Sequence, residues 1–240
     1  MRANYHSIET FSSVDGPGIR YVLFLQGCNL RCGYCHNPDM LSIKKNKSIT
    51  VDEIVSDFLK YQSFYTNGGI TVSGGEPLLQ IDFLIALFTE FKKIGIHTCI
   101  ETQGTLFTDD EKYRKLIEVT DLFIINLKGV DDKYAKAISG YGIKETLNFI
   151  EHLHNKNKKF IITYVLLPTI NDNKECAKKI AKLVKRFGDC DFEVLPYHKL
   201  GVKKWEELNL PYRLSIDSAT REDVKRFIEL IKQYLEQEVA

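Results

Sequence analysis

Six short apolar runs rich in β-branched and aromatic residues punctuate the chain, at 20–27, 69–73, 96–101, 121–127, 160–167 and 191–196. Within them apolar residues follow one another rather than alternating with polar ones, the pattern of strands covered on both faces. Between several of these runs the apolar spacing changes to three and four. Val51–Tyr65 places Ile54, Val55, Phe58 and Leu59 on one stripe, and Asp82–Ile94 does the same with Phe83, Leu84, Leu87, Phe88 and Phe91. A shorter helical segment ends at Val119. Cys176–Phe187 and Arg221–Tyr234 complete the set, the last with a stripe of Val224, Phe227, Ile228 and Ile231. Thr50, ahead of Asp52 and Glu53, has the chemistry of a helix start.

Strands alternating with helices of this length predict a parallel sheet with right-handed crossovers. About six such units fit, short of a closed eight-stranded barrel. The expected fold is therefore α/β, an open or partial (β/α)6 barrel with helices outside. In such folds the chemistry gathers at the C-terminal ends of the strands. No repeat or Pro/Gly/Ser-rich linker divides the sequence, so 1–240 is expected to form one domain, with 199–240 completing and covering the barrel. Gly201–Ala219, with the only Trp at 205, has weak periodicity and reads equally as lid, docking surface or packing.

Charge narrows the function classes. Lys+Arg 33 against Asp+Glu 32 leaves a net +1, which argues against a polybasic nucleic-acid binder and against a disordered acidic chain. The basic runs Lys44–Lys47 and Asn155–Lys159 read as solvated loop or helix ends. Apolar runs such as Tyr21–Leu25 are far too short to span a bilayer, and Met1–Ser13 lacks a secretory layout. A cytoplasmic protein is expected.

Six cysteines change the picture, because three of them fall in Cys28-Asn-Leu-Arg-Cys32-Gly-Tyr-Cys35, directly after the first strand. Clustered cysteines in a chain without a signal read as metal or redox chemistry. Four-iron clusters usually take four thiolates. A loop offering three leaves one iron open, as a catalytic metal requires. The alternatives are a zinc site with His36 as fourth ligand, or three unligated core cysteines. Cys99, Cys176 and Cys190 are dispersed and read as small buried hydrophobes.

The C-x3-C-x2-C spacing with an aromatic before the last Cys resembles the radical S-adenosylmethionine superfamily. More narrowly, Val14-Asp-Gly-Pro-Gly-Ile-Arg20, Gln26-Gly-Cys28 and Tyr34-Cys-His-Asn37 resemble the glycyl-radical-enzyme activases. The resemblance continues in order through Ser73-Gly-Gly-Glu76, Gly95-Ile-His-Thr-Cys-Ile-Glu-Thr102, Asn126-Leu-Lys128 and Leu195-Pro-Tyr-His198. It too implies a partial (β/α)6 barrel. It implies a 4Fe–4S cluster on Cys28, Cys32 and Cys35, and S-adenosylmethionine touched by Tyr34, Cys35, His36, Gly75, Asn126, Leu127, Lys128 and His198. It implies reductive cleavage of that cofactor to a 5′-deoxyadenosyl radical, which takes a hydrogen from a glycine Cα of a partner protein. The implied partner is a glycyl radical enzyme, pyruvate formate-lyase first among them, with flavodoxin or ferredoxin as electron donor and a monomeric activase.

The resemblance further implies a monovalent cation held by Glu101, Thr102 and Asn126 near the carboxylate of S-adenosylmethionine. The family carries Asp where this chain has Glu101 and Asn126, so the site has less charge. Thr163 stands where near relatives carry Arg. The loop carrying Asp15 is implied to grip the substrate's glycine segment. Each residue also has a plainer reading: a strand-to-helix turn for the Gly pair, a surface position for Lys128, a structural role for His198, a turn residue for Asp15. Rival functions are a radical enzyme acting on another glycyl radical enzyme or a small molecule, an iron–sulfur electron-transfer module, and an ordinary methyltransferase.

Overall fold

The computed structural model describes residues 1–44, 46–188 and 190–237. The chain runs β1 (Arg2–Ser12), β2 (Arg20–Leu25), β3 (Lys47–Thr50), α1 (Val51–Leu59), β4 (Gly69–Gly74), α2 (Ile81–Lys93), β5 (His97–Thr102) and α3 (Glu111–Val119). It continues with β6 (Leu122–Leu127), α4 (Asp132–Ser139), α5 (Lys144–Asn155), β7 (Lys159–Leu166), α6 (Lys174–Phe187), β8 (Asp191–Pro196), α7 (Val202–Glu207) and α8 (Arg221–Gln237).

One sheet takes the order β3-β1-β2-β4-β5-β6-β7-β8. From β2 to β8 every neighbour is parallel, in the register Leu23↔Val72, Val72↔Ile100, Glu101↔Ile124, Asn126↔Thr163 and Tyr164↔Val194. These six strands are the six apolar runs, and they make the open α/β barrel that alternation predicts. The two strands the apolar pattern did not show, β1 and β3, add antiparallel to the β2 edge. Both are polar enough to hide. β1 is mostly half-covered, and β3 is four residues opening on the basic run. Lys47 therefore sits in a strand rather than a loop, while Lys45 lies outside the described residues. Asn155–Lys159 does turn out of a helix end, as expected.

The two faces of the central strands separate by alternation. In β6, Phe123 and Ile125 point outward to the helices, Phe123 packing edge-on against Phe149 of α5 with centroids 5.6 Å apart. Leu122 and Ile124 point inward with Cys99 and Ile161. The inward side encloses a lumen of about 1090 Å³. The far edge is β8, whose residues are mostly exposed or half-exposed, so the barrel stays open along that side.

Helix starts follow local chemistry. Thr50 and Glu53 exchange side-chain and backbone hydrogen bonds as a capping box. Asp110, Asp131 and Asn173 cap α3, α4 and α6 from their side chains. The helical segments expected at 51–65 and 82–94 appear as α1 plus a short 3-10 turn, and as α2. Helices α4 and α5, between β6 and β7, were not among the expected segments, although α5 buries Thr146, Phe149, Ile150 and Leu153 along one stripe.

Candidate active site

The cysteine loop leaves the end of β2 and is pinned from both sides through its backbone. Gly27 N–H donates to the Met40 carbonyl at 2.9 Å, Arg31 N–H to Ser139 at 2.9 Å, and Gly33 N–H to Ile138 at 2.9 Å. Gln26 reaches across its base to the carbonyls of Asp39 and Ser42, both at 2.9 Å. The loop also presses on the turn after β4. Glu76 N–H donates to the Gly27 carbonyl at 2.8 Å, and a Cβ on Gly75 would lie 2.0 Å from that same oxygen. Only glycine permits this approach.

Glu76 itself is buried and bonds three ways. It accepts from Thr102 Oγ1 at 2.6 Å, from Leu78 N–H at 3.0 Å and from Gln103 N–H at 3.0 Å. The carboxylate thereby fastens the end of β5 to the end of β4. Burial raises its pKa against the pull of those donors.

Together these turns enclose a cavity of about 320 Å³ at the C-terminal ends of the strands. Cys28, Cys32, Cys35, Tyr34, His36, Gly75, Glu101, Asn126, Lys128, His198 and Asp15 all line it. Two sequence candidates do not. Leu127 turns its side chain into the core on the opposite face, as alternation along β6 requires. Thr102 is fully buried, donating to Glu76 and accepting from Gly104 N–H at 3.0 Å.

The thiols sit in an apolar nest with Leu30 and Leu41. Burial pushes Cys28 up to about 12 and Cys35 up to about 11, and raises Cys32 as well. Thiolates there need positive charge beside them. Lys128 supplies some; its ammonium lies 5.6 Å from the centre of the Tyr34 ring. Burial opposes the Lys128 charge, yet the acidic groups of Tyr34, Cys32, Glu101 and Cys35 outweigh it and hold its pKa above the usual value.

His36 and His198 stack at 3.8 Å, and His36 Nε2–H donates to the His198 carbonyl at 2.8 Å. Burial, then the neighbouring His36, lowers the His198 pKa, so its ring is neutral. Its Nδ1 is buried with no partner among the described residues, and so is Gln103 Oε1. Both residues line the cavity. Unpaired buried polar atoms beside a cavity leave hydrogen-bonding capacity there for a polar ligand or water. Gln103 escaped the sequence reading although it directly follows a motif that was read.

Segment 201–219 is packing over the cluster loop. Trp205 is buried, and its indole N–H donates to the Cys35 carbonyl at 2.8 Å. Lys204 Nζ reaches Asn37 Oδ1 at 2.8 Å and Asp39 at 3.2 Å. Residues 238–240 of the expected covering segment lie outside the described residues.

Asp15 is held at the lumen's other lip. Ser12 Oγ donates to its carboxylate, and Thr71 Oγ1 donates to its carbonyl at 2.6 Å. Arg20, fully buried, bonds Thr71 Oγ1 at 2.9 Å, the Ile70 carbonyl and His97 Nδ1 at 3.1 Å. Strand β2 thus clamps the Asp15 loop onto β4.

Comparison with known proteins agrees with this geometry. A family model described as the radical SAM superfamily matches residues 22–188. Among solved structures, Streptococcus suis SuiB bound to its precursor peptide SuiA shares the fold at TM-score 0.66 and 17% identity, over 89% of this chain and 45% of that one. A domain of a pyruvate-formate lyase-activating enzyme from Bacteroides vulgatus does so at TM-score 0.57 and 22% identity, over 70% of this chain and 95% of that one. The pyruvate formate-lyase-activating enzyme of Clostridium pasteurianum is 40% identical over 96% of this chain and 98% of its own length. That of Staphylococcus epidermidis is 42% identical over 89% and 88%. The chain belongs to the radical SAM superfamily and, within it, to the family of pyruvate formate-lyase-activating enzymes.

Its cofactors are a 4Fe–4S cluster and S-adenosylmethionine, and the site fits both. Among the described residues no three His, Cys, Asp or Glu side chains converge on a single metal ion. His36, the fourth ligand that zinc would need, is already bonded through its ring to the His198 carbonyl. The three thiols share one apolar nest and one cavity, as the ligands of a single cluster must. The unpaired His198 and Gln103 atoms suit a polar ligand beside it. The cation expected at Glu101, Thr102 and Asn126 fits less well, because each of these side chains already has protein partners.

Proposed function

We propose that this chain activates pyruvate formate-lyase by placing a radical on one of its glycines. The observation that carries the reading is the joining of two spaces. Asp15, Glu101 and Leu195 line both the cofactor cavity and the lumen beneath it. A segment lying in the lumen therefore reaches the cofactor without passing through bulk solvent. The lumen is open along β8, which suits an extended protein segment better than a small molecule needing enclosure.

Cys28, Cys32 and Cys35 would hold the cluster, and three thiols leave one coordination position free. When bound and reduced by one electron, cluster and cofactor would supply the chemistry that removes a hydrogen atom from a glycine Cα. The chain's residues bind and orient. Gly75 exposes backbone at the turn after β4, Lys128 brings a cation to the cavity, and Tyr34, His36 and His198 form an aromatic wall. Asp15, fixed by Ser12 and Thr71, faces the incoming segment. Leu127 contributes only backbone at the end of β6. No general acid or base is assigned.

Cys99, Cys176 and Cys190 are too dispersed for further clusters, so the electron comes from an external flavodoxin or ferredoxin. We take the activase to act as a cytoplasmic monomer of one domain. No described helix is long and apolar enough to cross a membrane.

Anaerobic reconstitution, reduction, and addition of S-adenosylmethionine with pyruvate formate-lyase test the reading by EPR. A protein glycyl radical doublet is expected, absent with Cys35→Ala. Release of 5′-deoxyadenosine without a doublet would sink the proposed partner. A protein that holds zinc and no reducible cluster would sink the reading entirely.

A further inference from the structure

Four polar side chains on four consecutive parallel strands are bonded end to end above the lumen. Ser73 Oγ of β4 donates to Glu101 Oε2 of β5 at 2.6 Å. Asn126 Nδ2 of β6 donates to Glu101 Oε1 at 2.9 Å. Thr163 Oγ1 of β7 donates to Asn126 Oδ1 at 3.0 Å. Ser73, Asn126 and Thr163 are all buried, where an unmade hydrogen bond is costly.

The bonding fixes the direction of the Asn126 amide. Turned over, it would set its oxygen against a Glu101 oxygen with no proton between them. A hard cation demands the turned-over state, because it takes oxygen ligands. The amide oxygen and the carboxylate would have to converge on it. Here the oxygen faces Thr163 and the N–H faces the carboxylate. Thr102 is further committed, to Glu76 and to Gly104 N–H. Asn126 lines the cofactor cavity, and only one of its two amide hydrogens is engaged by the described residues.

We propose that this activase dispenses with a monovalent cation at the carboxylate end of its cofactor: the Asn126 amide, gripped by Glu101, takes the cation's place as the group that meets that carboxylate. The proposal rests on the S-adenosylmethionine reading of the cavity. Thr163 belongs to the same device, since its hydroxyl donates to the amide oxygen and holds it turned away from the Glu101 carboxylate.

The test is binding of S-adenosylmethionine to the reconstituted, cluster-loaded protein by anaerobic equilibrium dialysis. Sodium, potassium and choline chloride are compared at equal ionic strength. A cation coupled to binding shifts affinity by about 5- to 150-fold, so constancy within about twofold across the three salts is the expected result. Asn126→Asp should create the dependence: binding weakened about tenfold in choline and restored by sodium or potassium. Thermal midpoints of the wild-type holoprotein give a reading independent of that variant's folding. They should coincide in the three salts, and a rise specific to sodium or potassium would overturn the proposal. Wild-type binding that collapses in choline would overturn it too, while leaving the cofactor reading intact. Absence of binding in every salt would overturn both.

Discussion

Arg20 is a fully buried cation with no ion-paired carboxylate among the described residues, and its neighbours explain how it is tolerated. Its donors are spent on Thr71, the Ile70 carbonyl and His97. Burial lowers its pKa, and Asp121 and Asp15 counter that at a distance. The bond to His97 obliges Nδ1 of that ring to accept, so the ring must stay neutral. Burial first, then Arg20 and Lys92, lowers the His97 pKa, with Asp121 opposing. A histidine whose folded pKa is depressed contributes its full stability above the unfolded value near 6.5 and loses it as pH falls below that value. Unfolding by urea between pH 7.5 and 5.5 should therefore show stability falling toward the acid side. His97→Gln should flatten that slope; an unchanged slope would refute the assignment. The sequence placed Arg20 in a motif without a role, because its partners sit on β4 and β5, about 50 and 77 residues along the chain.

Strand ends are where the chemistry of this chain was most legible. The cysteine spacing, the Gly pair and Lys128 each sit at the end of an apolar run, and the architecture brings such ends together. What the runs could not reveal was their mutual fastening. The amide direction of Asn126 depends on Thr163, and the fit of the cysteine loop depends on a glycine 40 residues later that tolerates the Gly27 carbonyl. Strands β1 and β3 were missed because half-covered, mixed side chains in β1 and only four residues in β3 leave no strong period. The turn after β4 offers a direct check. In Gly75→Ala the added methyl would meet the backbone oxygens of Gly27 at 2.0 Å and Met40 at 3.0 Å. Relief requires the cysteine loop to move, at a cost of about 1–3 kcal/mol. Iron content after reconstitution should fall well below wild type, with the circular dichroism of the barrel kept. Full iron loading would show that the close approach is not needed.

At the scale of the whole molecule, the sheet is a wall with one free side. The β3-β1-β2 edge is thickened by antiparallel strands, whereas β8 ends the sheet bare. Access to the lumen is thus lateral, and the cofactor cavity lies above it. Ile161 points into the lumen from β7 and does not line the cofactor cavity. Ile161→Trp should fill the lumen, leaving cleavage of S-adenosylmethionine within about twofold while lowering glycyl radical yield by about tenfold or more. Equal losses of both would show that the lumen does not carry the partner's segment. The roof over the cluster loop has a different lesson. Its indole bond to the Cys35 carbonyl joins residues 170 positions apart. During synthesis the three cysteines emerge early and their roof emerges late. Until then the thiols stand on a loop with one side bare. The loop is therefore covered on that side only once the chain has been made past Trp205.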